Sequence, residues 1–298
     1  MGKDKEALMN ILCKSAVDIS QLTARKNLKS DGLELQLLSD FSRIDNSNLL
    51  HTLHTSMADV KVVHAPLKEA LTEQDVCIDI AYIAKKDYIV FMKTCALAES
   101  IGCINGKTIP VVIHAALDID KDTLLDAAKI IARALRMYTH IEILVENVPG
   151  SYGEAVHMGS AYALPYLVKC LRTYASNSRI HLVLDVCHVM MRQRIYDVRG
   201  YDCESLECYF KEFSPYLRLV HLSNIRQYGM GKDHGVAFET KDKEQLSNIM
   251  DLYTKYANAN TLLTIETRED DYYKCINYST TRENLDLVMN SKERRLII

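Results

Sequence analysis

Short apolar runs that each end in a polar side chain able to bind a metal recur along this chain. The runs IPVVI and HLVL are examples, and their length and content of Val, Ile and Leu are typical of buried parallel strands. The carboxyl ends of such strands meet at one mouth when the strands close into a barrel. Six runs end in His64, His114, Glu146, Asp185, His221 and Glu266.

Strand and helix patterns alternate along the chain. Strands are predicted at 8–13, 33–38, 59–64, 109–114, 141–146, 180–185, 217–221 and 262–266. Helices are predicted at 15–32, 81–102, 120–138, 157–176, 203–213, 243–257 and 280–290. This alternation predicts one α/β domain, a (β/α)8 TIM barrel over residues 1–298, with a metal site at the C-terminal mouth of its strands.

Composition narrows the range of functions only slightly. The 298 residues are 48% hydrophobic, and 36 basic against 39 acidic side chains give a net charge of -3. Nucleic-acid binding would therefore need a local basic patch, because no global positive field exists. The nine cysteines form no C-x-x-C pair, and no apolar run is long enough to span a membrane. A cytoplasmic protein with reduced thiols is the expectation.

The candidate chemistry is concentrated at the ends of strands five to seven and in the loop after strand seven. Asp185 and His188 are three residues apart, so both can face the mouth, and Asp233 and His234 lie in a glycine-flanked loop. Glu146 offers two oxygens and could bridge two ions. Histidines and carboxylates with no cysteine suit zinc, manganese or ferrous iron. The candidate metal ligands are His64, His114, Glu146, Asp185, His188, His221, Asp233, His234 and Glu266.

Several further polar residues have two interpretations. Arg194 and Arg226 on the loops after strands six and seven could bind a phosphate or could be solvated charges. Glu34 could reach the mouth from strand two or be a simple polar side chain, and Cys187 is expected to be a buried, inert thiol. Asn147 and Asn224 are candidate substrate-binding residues. Structural or solvated roles are expected for His51, His54, His140, His157 and His181.

Taken together, the motifs resemble a known family. They are H-A-P at 64, His114, E-N at 146, D-V-C-H at 185, H-L-S-N at 221, the tract from His234 and E-T at 266. This set resembles the xylose-isomerase-like TIM barrels and, within them, endonuclease IV. The resemblance implies two or three divalent ions, zinc above all, that hydrolyse the phosphodiester 5′ to an abasic site in DNA.

The resemblance also implies a distribution of ligands over three ions. Glu146 would bridge two of them. The other ligands would divide into His64 with His114 at the first ion, Asp185 with His221 and Glu266 at the second, and His188 with His234 at the third.

Two other activities on the same barrel remain open. The sugar and sugar-phosphate isomerases and epimerases are similar, with one metal on Glu146, Asp185, His221 and Glu266, and with Glu146 and Glu266 as the catalytic proton shuttle. Multinuclear iron oxidases that modify peptide cysteines share the E-N-x-x-S-Y run at 146–152. The chain also departs from endonuclease IV, because Lys232-Asp233-His234 replaces the D-x-H motif of the third ion. The expected partner is abasic DNA or a small phosphorylated or sugar substrate.

Overall fold

The predicted strands form a closed parallel barrel. The computed structural model describes residues 9–38, 40–66, 79–85, 88–116, 119–149, 159–198, 200–226 and 234–296. Its strands are β1 (Ile11–Ala16), β2 (Leu33–Gln36), β3 (Val60–His64), β4 (Ile109–His114), β5 (Ile141–Glu146), β6 (Ile180–Asp185), β7 (Leu217–Leu222), β8 (Asn224–Ile225), β9 (His234–Val236) and β10 (Leu262–Ile265). The barrel runs β1-β10-β7-β6-β5-β4-β3-β2 and closes on itself, while β8 and β9 form a separate antiparallel pair.

Two layers of apolar side chains stabilise the barrel. The inner layer is a cluster of fully buried residues from six different strands, as expected for a barrel filled by its own side chains. The outer layer packs between the strands and the helices and forms the larger of the two clusters. The inner cluster comprises Leu12, Val62, Val112, Leu144, Val183 and Leu219.

Helices surround the barrel. They are α1 (Ile19–Lys26), α2 (Asn46–Ser56), α3 (Ile80–Lys85), α4 (Tyr88–Asn105), α5 (Lys121–Met137), α6 (Ala163–Ala175), α7 (Val186–Val198), α8 (Leu206–Phe213), α9 (Lys243–Tyr256) and α10 (Ile276–Leu296). Aspartates define several starts: the side chains of Asp18, Asp45 and Asp120 accept hydrogen bonds from free backbone N–H groups in the first turns of α1, α2 and α5. Among the described residues, no helix is long and apolar enough to cross a membrane.

The elements differ from the predicted ones in three places that matter for the site. The first strand spans Ile11–Ala16 rather than residues 8–13, and its later end places Lys14 inside β1. Helix α2 lies between β2 and β3, where no helix was predicted. Its buried face is narrow, formed by Leu49, Leu53 and Ser56, and so gives only a weak helical pattern in the sequence. Helix α7 follows β6 without a loop, so His188 lies on its first turn.

Candidate metal centre

The register of the barrel brings the polar strand ends to one level. His114 is paired with Glu146 across β4 and β5, and Asp185 with His221 across β6 and β7. On the other side of the barrel Gln36 is paired with His64. The mouth expected from the sequence is therefore formed by side chains that share one register.

Eight of the predicted ligands lie in three overlapping groups, and in each group the potential ligand atoms are within 4.8 Å of one another. Glu146 is common to the first two groups, and Asp185 is common to the second and third. The groups are His64 with His114 and Glu146; Glu146 with Asp185, His221 and Glu266; and Asp185 with His188 and His234. These groups contain the ligand sets that the resemblance implies, except that Asp185 also lies in the third group.

Glu146 lies between the first two groups and faces each with a different oxygen. Its Oε2 lies 3.1 Å from Nε2 of His64 and 3.4 Å from Nε2 of His114. Its Oε1 lies 3.3 Å from Nδ1 of His221. A carboxylate with imidazole nitrogens at both oxygens has the arrangement that a bridging ligand between two cations requires.

Hydrogen bonds behind the histidines select the ring nitrogen that faces the mouth. Nδ1 of His64 lies 2.8 Å from the carbonyl oxygen of Ala65, and Nδ1 of His188 lies 2.7 Å from that of Asn147. An N–H donated to each carbonyl leaves Nε2 of both rings as the ligand atom. In His221 the two ring nitrogens have the opposite roles. Its Nε2 lies 3.0 Å from Oε2 of Glu34, which leaves Nδ1 for a metal. Such outer contacts typically fix the tautomer of metal ligands.

Five buried atoms in the mouth make no hydrogen bond with the described residues. They are Oε1 of Glu34, Oδ2 of Asp185, Nδ1 of His221, Nε2 of His234 and Oε2 of Glu266. Some of these atoms contact each other as ion pairs: Nδ1 of His221 lies 2.8 Å from Oε2 of Glu266, and Nε2 of His234 lies 3.6 Å from Oδ2 of Asp185. Buried polar atoms are normally hydrogen-bonded, so imidazole nitrogens and carboxylate oxygens that converge without such bonds are the donor set expected around cations. The mixture of imidazole and carboxylate fits a divalent transition metal such as zinc.

Charge in the mouth also favours cation binding. Four acidic side chains, Glu34, Glu146, Asp185 and Glu266, share the space with one lysine, Lys14. Burial alone would raise the pKa of Glu266 and Glu146, but the neighbouring cationic groups outweigh it and hold the pKa of both carboxyls well below the usual range. The buried carboxylates outnumber the lysine, and bound metal ions would neutralise this excess negative charge.

The imidazoles fall into two classes. Burial is the main cause that lowers the pKa of His64 and His188, which therefore remain neutral and able to bind a metal. Burial acts in the same direction on His221, but the carboxylates of Glu34, Glu146 and Glu266 outweigh it and raise its pKa well above the ordinary value. A metal ion at Nδ1 must displace that proton, so binding releases protons.

The remaining predicted site residues have more varied positions. Asn147 is buried, and its amide holds the end of β6: Nδ2 donates to the Asp185 carbonyl and Oδ1 accepts from the Asp185 N–H at 2.7 Å. Oδ1 of Asn224 accepts from the N–H of Ile225. Nη1 of Arg194 donates to the carbonyl of Arg226. Asp233, Ser151, Tyr152 and His157 lie outside the described residues.

Two residues of the mouth had no firm role in the sequence analysis. Lys14 extends from β1, and its Nζ lies 2.6 Å from Oε1 of Glu266 and 3.4 Å from Oε1 of Glu34. Glu34 is fully buried, accepts from the Thr264 hydroxyl at 2.7 Å and lies against His221. Burial by itself would raise the pKa of Glu34, but His221 and Lys14 lower it to about 2. A strand one placed later in the sequence, at Ile11–Ala16, would have included Lys14.

A cavity opens from the candidate metal ligands toward β1 and β2. It has a volume of about 520 Å³, and His234 and Glu266 form part of its wall. Lys14, Gln36, Gln21 and Arg268 are among its polar lining residues. Cavities of this size typically accept small molecules or one residue of a larger ligand.

Replacement of Glu34 by glutamine is expected to weaken metal binding without unfolding the barrel. The amide keeps the shape of the side chain but loses the negative charge that orients Nε2–H of His221. Loss of such an outer contact typically costs about 10- to 100-fold in metal affinity, measurable by competition with a chelating dye. Glu142→Gln is the matched control, since Glu142 is a buried carboxylate on β5 that binds Arg218 at 2.7 Å. Equal affinity in Glu34→Gln and wild type would contradict this role.

Comparison with solved structures identifies the fold. No protein-family model and no curated protein sequence matches the chain. An epimerase from E. coli that acts on a 3-keto-D-glucoside matches with a TM-score of 0.56 and 11% identity, over 95% of this chain and 99% of that one. An AP endonuclease of family 2 from Brucella melitensis matches with a TM-score of 0.57 and 9% identity, over 91% and 98%.

A third similar structure is the D-psicose 3-epimerase of Clostridium cellulolyticum H10. It matches with a TM-score of 0.54 and 9% identity, over 96% of this chain and 99% of that one. Epimerases and an endonuclease therefore share this architecture over nearly their whole length. The chain has the fold of the xylose-isomerase-like TIM barrels, as the resemblance of its motifs implied.

Proposed function

We propose that the protein is a metal-dependent phosphodiesterase of the endonuclease IV type, which uses two or three divalent ions, zinc foremost, to cleave DNA at abasic sites. The two-sided position of Glu146 carries this proposal. Its Oε2 faces His64 and His114, and its Oε1 faces His221. A one-metal enzyme needs only one side of that carboxylate, whereas this centre provides imidazoles on both sides.

The residues of the mouth suit phosphoester hydrolysis. Bound divalent ions would supply charge stabilisation to a phosphoryl group and would activate a water. Glu146 and Asp185, which belong to more than one ligand group, keep the ion positions close together. Asn147 fixes the backbone of Asp185, and Glu34 fixes the ring of His221, so both ligands are held in place before substrate arrives.

The direct test is cleavage of a synthetic duplex that contains one abasic site. Metal-loaded protein is expected to nick this duplex, to leave an undamaged duplex intact, and to lose activity after chelation. The same preparations should be assayed with ketohexoses. An abasic duplex left intact at micromolar protein, together with interconversion of a ketose, would replace this proposal by the isomerase alternative.

Salt dependence provides a prediction about the DNA contacts. Arg194 and exposed Arg226 are joined by a hydrogen bond between segments that follow β6 and β7, so the Arg194→Ala/Arg226→Ala variant is expected to bind abasic duplex with a shallower salt dependence. Removal of two phosphate contacts should reduce the slope of log K against log salt by about 2, measured by fluorescence anisotropy. The control replaces exposed Lys129 and Arg136 on α5. An unchanged slope in the first variant would exclude these arginines from phosphate binding.

The one-metal sugar isomerase or epimerase remains the second candidate because of a specific observation. Glu146, Asp185, His221 and Glu266 form a complete four-ligand group on their own. Glu266 also lines the cavity of about 520 Å³, a volume suited to a small substrate. In that enzyme Glu146 and Glu266 would exchange a proton with the substrate carbon, and His64 and His114 would bind no ion.

A further inference from the structure

A second group of metal-binding side chains lies at the opposite end of the barrel. Glu99 and Cys103 are one turn apart on α4, and His140 directly precedes β5. We propose that Glu99, Cys103 and His140 form a site for a thiophilic divalent ion such as Zn²⁺, separate from the mouth. From the sequence, His140 is expected to have only a structural or solvated role.

The spacing of the three potential ligand atoms fits one tetrahedral ion. Sγ of Cys103 lies 3.4 Å from Nδ1 of His140 and 3.7 Å from Oε1 of Glu99. Nδ1 of His140 lies 3.1 Å from the same Oε1. Ligands at usual zinc distances are separated by about 3.4 to 3.6 Å along the edges of a tetrahedron. Each observed separation is close to that range.

Without a cation, several donors of this group share the same acceptor atom, Oε1 of Glu99. The Cys103 thiol, the His140 ring and the Thr139 hydroxyl, which lies 3.4 Å away, all approach Oε1 of Glu99. Nδ1 of His140 has the thiol and the Thr139 hydroxyl within 3.4 Å and 3.2 Å. A cation would replace these shared contacts by three coordinate bonds. The other oxygen of Glu99 is engaged separately, by the backbone N–H of His140 at 2.7 Å.

The backbone around the group is arranged for close approach. A Cβ at Gly102 would lie 2.6 Å from Cβ of His140, so glycine at this position allows α4 to contact the His140 segment directly. Nη1 of Arg179 donates to the carbonyls of Tyr138, Thr139 and Ile141 and so fixes the segment that carries His140. The three side chains are thus held by rigid elements, as a preformed site requires.

The donor types select the ion. A thiol and an imidazole favour zinc and its neighbours over Mg²⁺ and Ca²⁺, which prefer oxygen. Binding converts the Cys103 thiol to a thiolate and releases its proton to solvent. Cys103 is exposed and the His140 side chain is 39% exposed, so solvent can provide the fourth ligand.

Cobalt substitution tests the site by a signal that the mouth ligands cannot give. Protein stripped by chelation and titrated with Co²⁺ is expected to develop thiolate-to-cobalt charge-transfer absorption, because the mouth ligands include no cysteine. Cys103→Ser should lose this absorption and bind one ion fewer per chain. Glu99→Gln should bind the ion at least about tenfold more weakly. Cys208→Ser, whose thiol contacts the hydroxyl of Tyr162, is the control and should behave as wild type.

Zinc protection of the thiol gives a second readout. Alkylation of Cys103, followed by mass spectrometry of its peptide, is expected to slow by at least about tenfold when Zn²⁺ is added. Charge-transfer absorption that persists in Cys103→Ser, or alkylation that Zn²⁺ does not slow, would overturn the proposal. Neither measurement depends on the reaction catalysed in the mouth, so this site can fail or stand independently of the proposed phosphodiesterase.

Discussion

Replacement of Glu146 by glutamine is expected to remove bound metal from the mouth and to lower phosphodiester hydrolysis by at least about 1000-fold. Glu146 faces His64 and His114 with one oxygen and His221 with the other. Glutamine has almost the same shape but no charge, and its amide nitrogen cannot bind a cation. One substitution therefore weakens the binding of both ions that the carboxylate would bridge.

The expected loss can be separated from unfolding. Glu142→Gln is the matched control, because Glu142 lies on the same strand but near its amino end, where it binds Arg218. It should retain the metal content and activity of the wild type. Elemental analysis and circular dichroism of both variants provide the measurement. Folded Glu146→Gln protein with an unchanged metal content would contradict the role of Glu146 as a ligand.

The strand ends show how much of the site can be predicted from sequence. His114, Glu146, Asp185 and His221 each follow an apolar run, and the run itself specifies a buried parallel strand. Because parallel strands align their carboxyl ends, a local pattern was sufficient to place these four side chains together. The barrel and its mouth could therefore be predicted without any knowledge of tertiary contacts.

Lys14 and Glu34 show where local patterns stop being informative. Lys14 interrupts the apolar run of β1 with an inward-facing charge, and so the predicted strand ended at residue 13. Glu34 contacts His221 across the barrel, from a strand 187 positions away in sequence. Neither the hydrophobic periodicity of a strand nor the spacing of polar residues in the sequence indicates such a contact. His188 was predicted as a candidate ligand and lies in one group with Asp185 and His234, although the turn of α7 that carries it was predicted as a loop.

Simultaneous replacement of His64 and His114 by alanine is expected to reduce the metal content of the mouth by at least one ion and to lower phosphodiester hydrolysis by at least about 100-fold. The remaining group of Glu146, Asp185, His221 and Glu266 is complete, so it should still bind one ion. Measurement in a Cys103→Ser background keeps any ion near His140 out of the count.

This variant distinguishes the two candidate enzymes, because a one-metal isomerase has no ion at His64 and His114. His181→Ala is the control, since His181 contacts Glu142 near the other end of the barrel and should leave the metal content unchanged. Wild-type protein with two or more ions, one of which is lost in the double variant, would support the phosphodiesterase. A single ion that survives both substitutions would instead favour the isomerase, with Glu146 and Glu266 as its proton-transferring pair, and His64 and His114 would then be substrate contacts.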